Sequence, residues 1–125
     1  MNEAQLHANI CDYIRLQYPK AYFNSDLSGI KLTMGQAVKA KKLRSSRGFP
    51  DLAIYEARGT YNGFFLELKR EGEKLSKLNG DWKSKHLLEQ SLIIQGLVAR
   101  GYYANFAIGF DSAKEQIDNY MELPK

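Results

Sequence analysis

From Glu3 to about Tyr18, apolar side chains at Leu6, Ile10, Tyr13, Ile14 and Leu16 recur with a helical period, and Pro19 ends the run. A first helix is predicted there. Ala21, Tyr22 and Phe23 then form a short aromatic stretch that passes into polar Asn24, Ser25, Asp26 and Gly29, the pattern of a brief strand followed by a loop. Thr33 to Leu43, with Met34, Ala37, Val38 and Ala40, predicts a basic amphipathic helix that starts at a Thr cap.

Turn residues from Ser45 to Pro50 close that segment, and Asp51 to Tyr55 reads as a strand. Arg58-Gly59-Thr60 supplies a turn and Asn62-Gly63 a bend or bulge. In the next strand, Phe64 to Lys69, alternation puts Phe65, Glu67 and Lys69 on one face and Phe64, Leu66 and Leu68 on the other. A short Gly-containing connection between the two strands predicts antiparallel pairing. Glu71 to Lys85 is polar, with Gly72 and Gly80, and resembles a flexible loop over an active site more than core structure. A helix follows from about Lys85 to Arg100, with Leu87, Leu88, Leu92, Ile93, Leu97 and Val98 expected to be buried and Gly101 as its stop. Tyr102 to Phe110 is a further strand, and Asp111 or Ser112 caps a last helix from Ala113 to about Met121. This order predicts an α/β fold, a central mixed sheet flanked by helices, with a crossover and parallel pairing around Gly101.

At 125 residues, the chain has the length of one compact domain, 1–125. Ordinary shares of hydrophobic (44%) and charged (26%) residues speak against a disordered tail or a fibrous repeat. No apolar run approaches the length of a membrane span and the first residues lack a signal-peptide pattern, so a soluble, cytoplasmic protein is expected. Cys11 cannot form an intramolecular disulfide, and is expected to be a buried thiol on the first helix. The net charge of +4 is a mild attraction toward phosphate. Its distribution says more. Lys31, Lys39, Lys41, Lys42, Arg44 and Arg47 follow one another with no acidic residue between them, and a second group, Lys69, Arg70, Lys74, Lys77, Lys83 and Lys85, is diluted by Glu71, Glu73 and Asp81. Charge runs of this kind are usually solvated faces; here they flank carboxylates, which favours nucleic-acid contact.

The carboxylates are Asp51, directly after Pro50, and Glu67. Cutting a phosphodiester calls for a divalent ion on hard oxygen ligands, to polarise the phosphoryl group and acidify a water. Two neighbouring strands can bring Asp51 and Glu67 to one ion, with the backbone carbonyl of Leu68 as a further ligand. Lys69, two residues after Glu67, shares its face, where an ammonium can hold the attacking water and offset developing charge. Singly, these residues have plain structural readings, as a turn cap and a surface ion pair. Together, in an otherwise apolar stretch, a charged pair calls for a compensating metal or partner.

Gly48-Phe49-Pro50-Asp51-Leu52, then Glu67-Leu68-Lys69, then Gln90 and Gly101, resemble the signature of the VRR-NUC nucleases, a branch of the PD-(D/E)xK superfamily with a restriction-endonuclease-like core. The resemblance spans almost the whole chain. It implies that Glu3, which also suits the first turn of a helix on electrostatic grounds alone, matches the family's first-helix glutamate. It also implies that Gln90 matches the family's glutamine, with Gln95 as a competitor. By the same resemblance, the expected cofactor is Mg2+ or Mn2+, and the expected activity is endonucleolytic cleavage of DNA. Standalone members resemble phage enzymes that act as homodimers on branched DNA such as Holliday junctions. A non-catalytic nucleic-acid-binding module on the same fold, and a restriction-like endonuclease, are the alternatives. His7 and His86 are far apart and have no cysteine cluster, which argues against a zinc site. Trp82 is read either as a base-stacking residue or as an anchor of its loop.

Overall fold

The computed structural model describes residues 1–26 and 33–125. Gly29 of the expected loop and Lys31, first of the basic run, lie outside the described residues. Helix α1 (Glu3–Gln17) opens with a capping box in which the Asn2 side chain accepts from the Gln5 amide and the Gln5 side chain returns the bond. Its Leu6, Ile10 and Ile14 form a fully buried stripe. Strand β1 (Phe23–Ser25) starts at the last residue of the aromatic stretch and takes in the polar Asn24 and Ser25 that had been expected in the loop. Their pairing with the next strand, Phe23 to Ile54 and Ser25 to Leu52, overrides their weak strand preference. Helix α2 (Met34–Lys42) starts at Thr33 with a second capping box, to Gln36, but has no buried residue. Met34 and Val38 are exposed, so local capping defines this helix and no core face does.

Strands β2 (Leu52–Ile54) and β3 (Phe64–Lys69) pair antiparallel, Leu52 opposite Leu66 and Ile54 opposite Phe64. After β3 the chain makes a small paired excursion in place of an open loop. The Lys77 amide donates to the Asp81 carbonyl and the Lys83 amide to that of Leu75, with a bridge between Ser76 and Trp82. Trp82 lies 5.7 Å from Phe106, ring to ring, and so anchors the excursion.

Helix α3 (Lys85–Ala99), capped by Ser84, buries Leu87, Gln90, Ser91 and Ile94. Leu88, Leu92 and Val98, expected in the core, are 42%, 55% and 53% exposed. The sequence holds two overlapping apolar stripes, and the one that faces the sheet includes the polar Gln90 because a polar group meets it there. Strand β4 (Tyr103–Ile108) pairs parallel with β3, from Phe64 opposite Tyr103 to Lys69 opposite Ile108, as the crossover requires. Helix α4 (Gly109–Met121) begins immediately after it, without a side-chain cap. The expected cap at Asp111 or Ser112 is therefore displaced: Gly109, at φ +84, makes the turn from strand into helix at once, and a Cβ there would strike the Glu71 carboxylate.

Among the described residues the sheet is four-stranded and mixed, in the order β1-β2-β3-β4, and four helices flank it. Leu52, Ile54, Phe64, Leu66, Leu68 and Ala107 line one face, packed against the apolar stripes of α1 and α4. The Asp118 carboxylate ties those two helices, accepting from the Tyr13 hydroxyl at 2.5 Å and the Tyr18 hydroxyl at 2.7 Å. The remaining β3 face carries Phe65, Glu67 and Lys69 toward α3. Cys11 is only partly buried, with burial raising its thiol pKa. Among the described residues, no helix is long and apolar enough to cross a membrane.

Candidate active site

Extending the β2–β3 register by one step from the Leu52–Leu66 pair puts Asp51 across from Glu67. Pro50 and Asp51 are buried on entry to β2, and the Asp51 carbonyl accepts from the Asp26 amide at 2.6 Å. The carboxylate reaches across the strand pair: Asp51 Oδ2 accepts the Leu68 amide proton at 3.0 Å. Leu68 thus meets the site through its N–H, immediately between Glu67 and Lys69.

Glu67 and Lys69 lie on one face, as alternation requires, with Lys69 Nζ 3.5 Å from Glu67 Oε1. Gln90 Nε2 donates to the same oxygen at 2.6 Å. Asp51, Glu67, Lys69 and Gln90 are 4%, 3%, 6% and 4% exposed, so two carboxylates, an ammonium and an amide share a dry pole of the sheet. Gln95, the competing glutamine, is exposed. The Gly48 turn holds α3 at this depth. Gly48 sits at φ +89, and a Cβ there would come within 3.1 Å of the Gln90 nitrogen and of the Glu89 carbonyl carbon and oxygen.

The electrostatics are unbalanced. Burial, then the neighbouring Asp51 charge, push the Glu67 carboxyl up to about 9, and Lys69 only partly opposes them. Glu67 Oε2 is buried without a hydrogen-bond partner, as is Oε1 of Gln90. Two buried carboxyl groups, one with an idle oxygen, are a donor set that suits a hard divalent cation, whose charge would remove the penalty.

Helix α1 brings Glu3 and His7 to the same place. One ligand atom each from Glu3, His7 and Asp51 lie within 4.8 Å of one another. Glu3 is exposed, whereas His7 is 8% exposed and its Nε2 stands 3.7 Å from Asp51 Oδ2. In the sequence, His7 has no companion histidine or cysteine cluster to mark it as a ligand. The available signal was its place one helical turn after Glu3, on the same face.

The basic residues divide. Lys41, Arg44 and Arg47, with Ser46 and His86, line a cavity of about 460 Å3 that reaches Gly48. Arg44 also pairs with Asp26 at 3.6 Å. Lys39 and Lys42 lie exposed on α2 outside that cavity, Arg70 borders a smaller one of about 260 Å3 with Met1 and Leu6, and Lys74 is exposed.

A solved structure described as a VRR_NUC domain protein superposes on the chain with a TM-score of 0.74, at 25% identity, over 100% of this chain and 92% of that one. The chain has the VRR-NUC domain fold. No protein-family model matches the sequence, and no curated protein does. Within this VRR-NUC fold, a nuclease-type α/β architecture, the pole where Asp51, Glu67, Lys69 and Gln90 converge is the candidate active site, and its donor set fits a divalent cation.

Proposed function

We propose that the chain is a Mg2+- or Mn2+-dependent endodeoxyribonuclease that hydrolyses phosphodiesters in branched DNA such as four-way junctions, working as a cytoplasmic, single-domain homodimer. The observation that carries this reading is a pair of buried carboxyl groups, Asp51 and Glu67, facing each other across β2 and β3, with the Lys69 ammonium 3.5 Å from Glu67.

A divalent cation held by Asp51, Glu67 and the Leu68 carbonyl, with Glu3 assisting, would polarise the phosphoryl group and acidify an adjacent water. The protein side chains do the rest. The Leu68 amide fixes the Asp51 carboxylate and the Gln90 amide fixes that of Glu67, so neither ligand has to reorganise. Glu67 must release its proton to serve as a ligand, and the neighbouring Lys69 ammonium favours that ionised form. Lys69 then orients the attacking water toward phosphorus and offsets the charge that grows on the phosphoryl oxygens as the bond to the leaving oxygen breaks. Lys39, Lys41, Lys42, Arg44, Arg47, Arg70 and Lys74 hold the flanking phosphates, a role that supplies affinity and no sequence reading.

A two-fold dimer supplies two such sites for two strands, and Leu88 and Leu92, a turn apart and exposed on α3, offer apolar area for a contact. Cleavage of four-way, flapped and linear DNA with Mg2+ or Mn2+ tests the proposal. Wild type is expected to prefer the branched substrates. Asp51→Ala and Lys69→Ala are each expected to lose about 10²- to 10³-fold in kcat. Equal activity in all three proteins removes the site. A monomer by light scattering, with nicking alone, removes the dimer.

A further inference from the structure

His7 is a buried imidazole with no role in the carboxylate and lysine chemistry described above. Its Nδ1 lies 2.9 Å from Ser25 Oγ on β1, and that hydrogen bond at one nitrogen holds the ring. Its other nitrogen, Nε2, is buried without a hydrogen-bond partner. At 3.7 Å, the Asp51 carboxylate is too far from Nε2 for a hydrogen bond, yet a cation with bonds of about 2.1 Å would span the gap. The Glu3 carboxylate stands within 4.8 Å of both. We propose that His7 Nε2 is a nitrogen ligand of the cation that Asp51 holds, with Ser25 orienting the ring, and that this imidazole tilts the site toward Mn2+ or another first-row transition ion over Mg2+.

This inference rests on the nuclease reading for its cation but not for its outcome. An all-oxygen site suits Mg2+, which accepts nitrogen ligands reluctantly; a neutral imidazole suits the later first-row ions. With the proton on Nδ1 and donated to Ser25, the Nε2 lone pair is free to bind, the arrangement in which a ligating histidine is normally fixed by its second nitrogen. Glu67 is not a member of the group that includes His7, so Asp51 is the residue common to both edges of the site.

Mn2+ bound to the full chain, followed by pulsed electron paramagnetic resonance, provides the test. Wild type is expected to show coupling from a directly bound nitrogen, which changes when the protein is made with 15N-histidine. His86→Gln should retain the coupling and His7→Gln should lose it, with Mn2+ affinity falling about tenfold and Mg2+ affinity changing much less. The wild-type spectrum needs no variant to fold, and circular dichroism checks the two that are used. Mn2+ binding that depends on Asp51 but shows no nitrogen coupling overturns the assignment while leaving the nuclease standing. Nitrogen coupling in a protein that cleaves no DNA keeps the assignment and overturns the nuclease.

Discussion

In the proposed role of Glu67 as a cation ligand, stability and function pull in opposite directions on one carboxyl group. With its pKa pushed from 4.5 to about 9, the folded, metal-free protein keeps a proton on Glu67 that the unfolded chain gives up above about pH 4.5. The folded state therefore binds more protons in this window, and stability falls as pH rises from about 4.5 toward 9. Glu67→Gln removes the titrating group yet leaves an oxygen for the Gln90 amide. In chelator-treated protein it is expected to raise stability at pH 7 by about 1–3 kcal/mol and to flatten the pH dependence, while abolishing cleavage. Thermal unfolding of both proteins between pH 5 and 9 checks this, and parallel curves would refute it. The Glu67 and Lys69 pair was legible in the sequence because strand alternation alone aligns them and their neighbours are apolar. For His7 the sequence shows only its place one helical turn after Glu3; its partner Asp51 is brought to it by the fold, and no local pattern encodes that meeting.

At the level of elements, the turn from Gly48 to Asp51 does two jobs, starting β2 at the right residue and pressing on the backbone of α3 beside Gln90. An alanine at Gly48 would have to keep φ +89 and fit a Cβ 3.1 Å from three backbone atoms. Gly48→Ala is expected to cost about 1–3 kcal/mol, and to lower kcat by shifting Gln90 away from Glu67. Denaturant unfolding and single-turnover cleavage read the two effects separately; unchanged kcat would show that Gln90 is seated by other contacts. The Asp118 tie between α1 and α4 makes a similar case from the structural side. Burial raises the Asp118 pKa, but hydrogen bonds from Tyr13, Tyr18 and Lys114 outweigh it, and the net shift is downward. The depressed pKa means that the tie contributes above the ordinary Asp value and is lost as pH falls through the folded one. Asp118→Ala, which strands two partly buried phenols, is expected to cost about 1–2 kcal/mol by denaturant unfolding. Element order, the mixed sheet and its parallel crossover were readable from hydrophobic periods. The buried side of α3 was not: its apolar residues form two stripes, and the one that turns inward carries Gln90 to Glu67, a partner that lies 23 residues away in sequence.

Over the whole molecule, the cationic wall and the carboxylate pole meet at Gly48, which borders the cavity lined by Lys41, Arg44 and Arg47 and also touches the backbone of Gln90. A strand whose phosphates occupy that cavity would pass directly to the site, so binding and chemistry should separate on mutation. Each phosphate contact contributes about −0.9 to the slope of log affinity against log salt on duplex DNA. Replacing Lys41 and Arg47 by alanine together should therefore flatten the slope by up to about 2 and raise KM far more than it changes kcat. Arg44 should count for less, because its guanidinium already faces the Asp26 carboxylate at 3.6 Å and must give up that partly buried pair before it meets a phosphate. Asp26 in turn donates its amide to the Asp51 carbonyl, so Arg44→Ala is expected to act weakly on the slope while leaving the backbone support of Asp51 in place. Filter binding of an Asp51→Ala background to a four-way junction, across a salt series, measures the slopes without turnover, and steady-state cleavage with Asp51 intact gives KM and kcat. A slope that stays the same in the Lys41/Arg47 double variant would place the DNA on another face of the domain.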